Sequence, residues 1–320
     1  MSAWEIFYKN IIPQKLVASG DKVVLAVSGG ADSMCMLHLF WRLQKKIGID
    51  ILAVNLNHGL RKEAVKEAKL VSDFCVKLGI KCSQGSLDVK GYAEDFKLSI
   101  ETAARDLRYA ALEDIAREKK FNKISTAHNA NDNAETVLMW LIRGSGNFEG
   151  IPQTRKIDKK LEIVRPLLPI KRALIDEYVK KQKIPFCTDK SNFSLEYTRN
   201  KIRHSVLPAV EKINPAAVER IFSLSKIQER ENAYLEDISI KFAKSCAKTK
   251  KNRILLDLTM FLRYNEALKY RILKNILPEH KYGVQVYAVM RQILSSGKTP
   301  LRLSGGWTVK INNKKAVFER

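Results

Sequence analysis

The chain has 320 residues, which is enough for two domains that each bury a core. Its net charge of +23 favours a polyanionic partner, and nucleic acid fits better than an anionic membrane because no basic amphipathic helix with exposed aromatics stands out. Five cysteines at irregular spacings argue against a disulfide framework and predict a reducing, cytoplasmic location. Neither a signal-peptide pattern nor a run of roughly 18 apolar residues is present, so we expect no membrane association.

The first 200 residues alternate between strand-like and helix-like stretches. A short apolar run at 23–27 predicts a strand buried on both faces, and a helical stretch follows at 34–43. The next predicted elements are strands at 51–56, 80–82 and 123–127, and helices at 62–78, 99–119 and 131–142. This order predicts an α/β fold with a doubly wound, mostly parallel, Rossmann-like sheet, whose ligands bind at the carboxyl ends of the strands.

The last third of the chain has a different pattern. After a predicted helix at 169–183, the sequence beyond residue 198 is mainly helical, with helices expected at 205–211, 215–246, 259–276 and 283–296. Near the end, an alternating TVKI and the turn-forming Asn312-Asn313 predict a β-hairpin. Residues 201–320 carry 24 basic and 10 acidic side chains. We therefore expect an α/β domain over 1–205 and a smaller, basic, mainly helical domain over 206–320.

The turn after the first strand has the composition of a phosphate-binding loop. Ser28-Gly29-Gly30 allows close approach of a ligand, and the next helix directs free N–H groups and the positive end of its dipole into the turn. With Ser33, these groups can hold a phosphate or pyrophosphate, although a bare glycine pair is equally typical of a turn without ligand. Asp32 would repel phosphate unless a cation lies between them, which indicates Mg²⁺ on a nucleotide. No GxxxxGK[ST] of the ordinary NTPase P-loop is present.

Two further polar clusters lie where a nucleotide site would place them. His58 and Arg61 follow the second strand, at the sheet edge that the glycine loop shares. Glu101, Arg105 and Arg108 fall on one face of the long helix, where the planar fork of an arginine can bind phosphate. An ordinary surface ion pair is the commoner explanation for such a helix face. Neither cluster identifies a function by itself.

The segment TAHNANDNAET leaves a strand and enters a helix. His128 follows the strand, and Asp132 and Glu135 lie three apart on one face of the first helical turn, a pocket suited to a cation or an amine. Acidic residues at a helix start are also ordinary partners of the helix dipole. Three arginines that lie next to glycine or amide groups are further candidates for phosphate contacts: Arg143, Arg199 and Arg203. Solvated basic loops have the same composition, so these segments alone do not decide between the two.

Several motifs together carry a family resemblance. The form SGGxDS after an apolar strand resembles the pyrophosphate loop of ATP pyrophosphatases, which cut ATP between its α and β phosphates. The motifs SGGADS, NHGLR, ETAARxxRY, TAHNxxDxxET, RGSG, RPLL and TRNKIR occur in one order over residues 23–203. That order resembles the tRNA(Ile)-lysidine synthetase family over the whole first domain, and the length resembles its shorter members. The family commonly has two histidines where this chain has His128-Asn129, which leaves the role of the second position open.

The resemblance implies a ligase that adenylates C2 of the wobble cytidine in the CAU anticodon of an isoleucine tRNA. The ε-amine of lysine then displaces AMP and gives lysidine. The implied ATP contacts, with Mg²⁺ at Asp32, are Ser28, Gly29, Gly30, Asp32, Ser33 and Arg143. The implied catalytic residues are Asp32, Arg105, His128 and Asp132.

The resemblance also implies how the two other substrates bind. Asp132 and Glu135 would hold the lysine ammonium, and His128 would orient the nucleophile or accept a proton. The basic domain would bind tRNA through its phosphates, and the implied tRNA contacts in the first domain are His58, Arg61, Arg199 and Arg203. The sequence leaves three points open: whether Arg105 or Arg108 contacts phosphate, which residues read the anticodon, and whether the protein is a homodimer.

Three other classes of protein share part of this pattern. A tRNA thiolase also has the pyrophosphate loop, but such enzymes commonly carry a CxxC, and Cys75 and Cys82 are seven residues apart. A small-molecule synthetase of the kind that makes NAD or GMP would not need so basic a second domain. An RNA-binding protein with a vestigial nucleotide site would not need Asp32 or an intact TAHNxxDxxET segment. We therefore expect an RNA-adenylating lysine ligase.

Overall fold

The computed structural model describes residues 1–57, 64–144, 148–188, 198–277, 283–295, 297, 299–312 and 314–320. The chain divides into two compact units, Met1–Lys226 and Ile227–Arg320. One long helix, α10 (Ala217–Cys246), begins in the first unit and ends in the second. The predicted division into domains at 1–205 and 206–320 stays a prediction.

The first unit is built on a six-stranded sheet in the order β3-β2-β1-β4-β6-β5. Its strands are β1 (Lys22–Ala26), β2 (Asp50–Asn57), β3 (Lys81–Ser86), β4 (Lys123–Ser125), β5 (Thr154–Lys156) and β6 (Glu162–Val164). All neighbouring strands are parallel except β5 and β6, which pair in the antiparallel sense at one edge. The predicted doubly wound, mostly parallel sheet is confirmed.

Helices cover both faces of this sheet. They are α1 (Ala3–Ile11), α2 (Ala31–Ile47), α3 (Ala64–Leu78), α4 (Val89–Asp95), α5 (Ile100–Glu118), α6 (Ala130–Ile142), α7 (Arg172–Lys181), α8 (Thr198–Lys201) and α9 (Leu207–Ile213). A π-helical turn, Ile202–Val206, joins α8 to α9. Capping side chains account for several of these starts: Ser99 accepts the backbone N–H of Thr102 at 3.2 Å at the start of α5, as its sequence predicts.

Strand β1 explains why its sequence is a continuous apolar run. Val23 and Leu25 pack into a core with α1, α2 and α7, whereas Val24 packs with α5 on the opposite face, and all three side chains are fully buried. A strand buried on both faces has no polar side to present. The strand order reverses between β1 and β4, and in such sheets ligands bind in the crevice at that reversal, beyond the carboxyl ends of the strands.

The second unit contains an antiparallel five-stranded sheet in the order β7-β8-β11-β10-β9. Its elements are β7 (Ala247–Lys250), β8 (Arg253–Asp257), α11 (Leu258–Phe261), α12 (Glu266–Ile276), α13 (Gly283–Leu294), β9 (Leu301–Arg302), a 3₁₀ turn (Ser304–Gly306), β10 (Thr308–Ile311) and β11 (Lys315–Glu319). The predicted terminal hairpin is β10 and β11, with Asn313 of its turn outside the described residues. Three further strands extend that hairpin beyond the prediction.

The predicted helix at 259–276 is divided into α11 and α12. Asn265 explains the division, because its side chain accepts the backbone N–H of Ala267 at 3.0 Å and so begins a new helix. No helix in the described part of the chain has both the length and the apolar character needed to cross a membrane.

Candidate active site

Two adjoining cavities lie at the carboxyl ends of β1 and β4, within the first unit. The larger has a volume of about 490 Å³ and the smaller about 230 Å³. Both are lined by Ser28 and Gly30 from the loop after β1, by Asp32 at the start of α2, and by Asp132 at the start of α6. The sheet therefore brings the glycine loop and the acidic segment, which are about 100 residues apart in sequence, to one place.

The loop after β1 has the geometry of an anion site. Gly29 has a φ of +91°, a conformation that side chains with a Cβ rarely adopt, and its carbonyl accepts the N–H of Cys187 at 2.9 Å. Gly30 is the N-cap of α2, and no side chain among the described residues caps this helix. Ser28 and Ser33 lie with their hydroxyls 3.2 Å apart. The first N–H groups of α2 are thus available to an anion together with the hydroxyl of Ser28, whereas the hydroxyl of Ser33 donates to the carbonyl of Gly30 at 2.9 Å.

Asp32 is held by two partners, neither of which was predicted from the sequence. Its Oδ1 accepts the side-chain amide of Asn129 at 2.9 Å, and its Oδ2 accepts Nη1 of Arg172 at 2.9 Å. Burial raises the pKa of Asp32 to about 6, and the positive charge of Arg172 opposes that rise. Asn129 therefore has a defined place in the site, as a donor to the carboxylate beside the glycine loop.

Arg172 is positioned by the packing of α7 beside α2. Six residues after Arg172 along α7, the hydroxyl of Tyr178 lies 2.8 Å from Nδ1 of His38, which is six residues after Asp32 along α2. Arg42 donates to the same hydroxyl at 3.3 Å. The two helices thus run side by side with two contact points about 9 Å apart. The sequence did not indicate this role of Arg172, because residues 171–174 (KRAL) resemble any basic helix start.

The acidic pair of α6 is occupied by arginines. Glu135 is 1% exposed, and its two oxygens accept Nε of Arg203 at 2.6 Å and Nε of Arg199 at 2.9 Å. Asp132 accepts Nη2 of Arg203 at 3.1 Å, and its other oxygen accepts the backbone N–H of Asn129 at 3.0 Å. The predicted lysine-binding carboxylates and two of the predicted tRNA contacts therefore form one ionic cluster at the wall of the larger cavity.

His128 lies in the smaller cavity among positive charges. Its Nδ1 is 2.9 Å from the hydroxyl of Thr126. Burial, followed by the charges of Arg165, Arg199, Arg108 and Arg105, lowers the pKa of His128 to about 3. The imidazole is consequently neutral over the physiological range of pH.

A group of arginines surrounds the buried ring of Tyr109 near His128. The guanidinium carbons of Arg155, Arg108 and Arg105 lie 4.9, 5.8 and 5.9 Å from the ring centroid. Arg165, which is 3% exposed, donates Nη1 to the carbonyl of Pro152 at 2.7 Å and leaves its Nε without a partner among the described groups. Arg108 lines the smaller cavity, which distinguishes it from Arg105. Arg155 was not singled out from the sequence, and Arg165 entered only as the first residue of the RPLL motif.

Among the remaining predicted residues that the structure describes, Arg143 does not line either cavity. Arg143 is the exposed C-cap of α6, with its guanidinium 5.8 Å from the ring of Trp140. Arg143 is about 11 residues beyond Asp132, which places it about 16 Å along the helix axis from that residue. His58 and Arg61 fall outside the described residues. Their predicted roles stay predictions.

Comparison with known proteins agrees with this geometry. A profile of the PP-loop domain matches residues 4–210, which include the glycine loop and the acidic helix. This chain belongs to the PP-loop family. The family assignment made from the SGGADS loop is thereby confirmed.

The relatives of this PP-loop protein include several tRNA(Ile)-lysidine synthases. The chain is 40% identical to that of Thermosipho africanus over 74% of this chain and 54% of the relative. It is 38% identical to that of Clostridioides difficile, over 89% and 62%, and 33% identical to that of Persephonella marina, over 98% and 67%. The chain thus spans about half to two thirds of the length of these curated relatives, and the resemblance to the lysidine synthetase family is confirmed.

A solved structure shares the fold of this PP-loop protein. It is the U34-tRNA thiolase NcsA from Methanococcus maripaludis with its [4Fe-4S] cluster, which superposes with a TM-score of 0.61 over 70% of this chain and 76% of the thiolase. The two sequences are 19% identical, so this likeness concerns the fold alone.

Proposed function

We propose that this protein is a tRNA(Ile)-lysidine synthetase. It adenylates the wobble cytidine of a CAU-anticodon isoleucine tRNA with ATP and then joins lysine to that base, releasing AMP and pyrophosphate. The observation that carries the proposal is the meeting, in adjoining cavities, of an anion-binding glycine loop with the acidic start of α6. The names of the similar proteins support the choice of tRNA and lysine as substrates.

The glycine loop suits the phosphates of ATP. Mg²⁺ is commonly bound through one or two carboxylates together with phosphate oxygens, and Asp32 beside the loop is a carboxylate of that kind. The ion would neutralise charge that develops on the departing pyrophosphate. Arg172 keeps Asp32 ionised despite its burial, because its guanidinium opposes the rise in pKa that burial causes. Arg172 is therefore proposed as a positioning residue for the nucleotide site.

The smaller cavity suits a nucleobase. Apolar side chains line much of it, including Val54, Leu56 and Leu112, and Thr126 and His128 supply polar groups at its wall. A mostly apolar pocket with a few polar groups is typical of sites that bind a planar ring. Arg108 lines the same cavity, and a phosphate contact is proposed for it and for Arg105, which is the more exposed of the two.

His128 and Asp132 are proposed to act on lysine. A neutral imidazole can accept a hydrogen bond from the amine and orient it, whereas a pKa of about 3 makes His128 a weak proton acceptor. Asp132 is the carboxylate for the lysine ammonium, since its side chain is 17% exposed and that of Glu135 is 1% exposed. Glu135 is instead assigned to holding Arg199 and Arg203, for which we propose contacts with substrate phosphates.

Lysine incorporation into RNA tests this proposal. The purified protein would be incubated with ATP, labelled lysine and an unmodified isoleucine tRNA transcript with the CAU anticodon. A matched transcript with a GAU anticodon serves as the control, because it lacks the wobble cytidine. We expect ATP-dependent labelling of the CAU transcript alone. Labelling of both transcripts, or sulfur transfer from a cysteine desulfurase system with no lysine incorporated, would contradict the proposal.

A further inference from the structure

The second unit presents one sheet face to solvent. Along β8 and β11, Ile254, Leu256, Ala316 and Phe318 are buried in the core of this unit, together with residues of α12 and α13. The side chains between them therefore point away from that core, because successive residues of a strand face opposite sides of the sheet. We call this second side the outward face.

The strand register aligns charges across the outward face. Residues paired directly across strands lie on the same side of a sheet. One continuous row crosses all five strands, through Lys250, Arg253, Glu319, Thr308 and Arg302. A second row crosses four strands, through Lys248, Leu255, Val317 and Lys310. In a third, Lys315 pairs with Asp257. Six of these side chains are basic and two are acidic.

Both acidic side chains of the outward face already have partners. Glu319 lies 3.2 Å from Nε of Arg253 and 4.0 Å from Nζ of Lys310. Asp257 caps α11, where its Oδ1 accepts the backbone N–H groups of Thr259 and Met260 at 2.8 and 3.2 Å. Lys248, Lys250 and Lys315 are exposed and make no ion pair with any described residue. The face therefore has a surplus of uncompensated positive charge.

Protection of a sheet edge explains only part of this charge. Lysines on an edge strand discourage pairing with other chains, and β7 is an edge strand that carries Lys248 and Lys250. The basic residues continue, however, onto the interior strands β8, β10 and β11, which have no free edge. A solvated face of an antiparallel sheet is ordinarily polar, but the excess of six basic over two acidic side chains favours a polyanion laid across the face.

We propose that the outward face of this five-stranded sheet binds the phosphate backbone of the tRNA substrate. The proposal rests on the proposed function for the identity of the RNA, and it adds the surface that holds it. Neighbouring strands are about 4.8 Å apart and alternate residues of a strand about 6.8 Å apart, so the lysines form a grid that can contact several successive phosphates. Leu255 and Val317 lie partly exposed between the lysines, where the aliphatic stems of lysine side chains can pack.

A pair of matched triple variants tests the proposal by the salt dependence of tRNA binding. The first replaces Lys248, Lys250 and Lys315 with glutamine. The control replaces Lys241, Lys244 and Lys274, exposed lysines on α10 and α12, and so removes the same charge from the same unit. Each lost phosphate contact should reduce the slope of log K against log salt by about 0.7 to 0.9. We expect a slope about 2 units shallower and binding at least about tenfold weaker at 0.1 M salt for the first variant alone.

Lysine footprinting gives a second measurement that does not depend on the variants folding. In the wild-type chain, bound tRNA should protect Lys248, Lys250 and Lys315 from acylation and leave Lys241 and Lys244 reactive. Equal effects of the two triple variants, or equal protection of both lysine sets, would overturn the proposal. A protein that shows this pattern but joins no lysine to RNA would refute the proposed function and leave the RNA-binding face intact.

Discussion

Replacement of Arg172 by glutamine should shift the acid limb of the pH–rate profile to higher pH. Asp32 can face a cation only when it is ionised, and its pKa of about 6 reflects burial opposed by the guanidinium 2.9 Å away. An opposite charge at this distance lowers a carboxyl pKa by about 1 to 3, so its loss should raise the pKa of Asp32 to about 7 or above. At pH 7 the ionised fraction then falls from about nine tenths to about one half or less.

The assay is tRNA-dependent exchange of pyrophosphate into ATP, measured from pH 5 to pH 9. The wild-type rate should rise with pH through about 6, and that of Arg172→Gln through about 7 or higher. Asp176→Asn is the matched control, because Asp176 contacts the same guanidinium but its negative charge raises the pKa of Asp32. In Asp176→Asn, the acid limb of the pH–rate profile should stay where it is in the wild type or shift to lower pH. An acid limb that is unchanged in Arg172→Gln would refute the role of Arg172.

Three further substitutions and measurements test other parts of the site. Glu135→Gln should lower the free energy of unfolding, measured by urea denaturation, by about 2 to 3 kcal/mol, because two arginines lose their buried carboxylate partner. The cost is moderate because both arginine side chains are about one-third exposed to water. A loss below about 0.5 kcal/mol would contradict this. Gly29→Ala should weaken binding of a non-hydrolysable ATP analogue, because a Cβ at φ +91° is strained by about 1–2 kcal/mol, whereas Gly20→Ala, which carries similar strain at φ +84° but lies outside the glycine loop and lines neither cavity, should bind the analogue as wild type does. The ring nitrogens of His128 should show no titration between pH 5 and 8 by NMR, and a midpoint near 6.5 would refute its neutral state.

The parallel sheet was predictable because its signals are local. The apolar run at β1 and the glycines after it define a strand, a turn and a helix without reference to any other part of the chain. Helix caps such as Ser99 are equally local. The alternation of strands and helices then predicts a parallel sheet with ligands at the carboxyl ends of its strands. The observed strand order places the ends of β1 and β4 beside the same crevice.

Arg172 could not be predicted, because its role depends on packing between distant segments. It meets Asp32 across 140 residues only because α7 lies beside α2, and that packing is made by side chains such as His38 and Tyr178. The pairing of Arg203 with Glu135 is of the same kind, at a separation of 68 residues. From sequence alone, each of these arginines resembles a solvated basic residue.

The antiparallel sheet of the second unit was missed for a different reason. Strands β7, β8 and β9 have two to five residues each, too few to establish an alternating pattern. Only β10 and β11 adjoin a recognisable turn, so only that hairpin was predicted. The charged outward face appears only when the strand register is known, because its basic residues are scattered from Lys248 to Lys315 in the sequence.

The fate of ATP in a single turnover tests the central claim most directly. With ATP labelled at the α phosphate, excess protein, lysine and the CAU transcript, we expect one AMP and one pyrophosphate for each lysine joined to RNA. Omitting lysine should leave the label on the RNA, as an adenylated intermediate, until lysine is added. Release of ADP and phosphate, or AMP formation that does not require the tRNA, would contradict an RNA-adenylating lysine ligase.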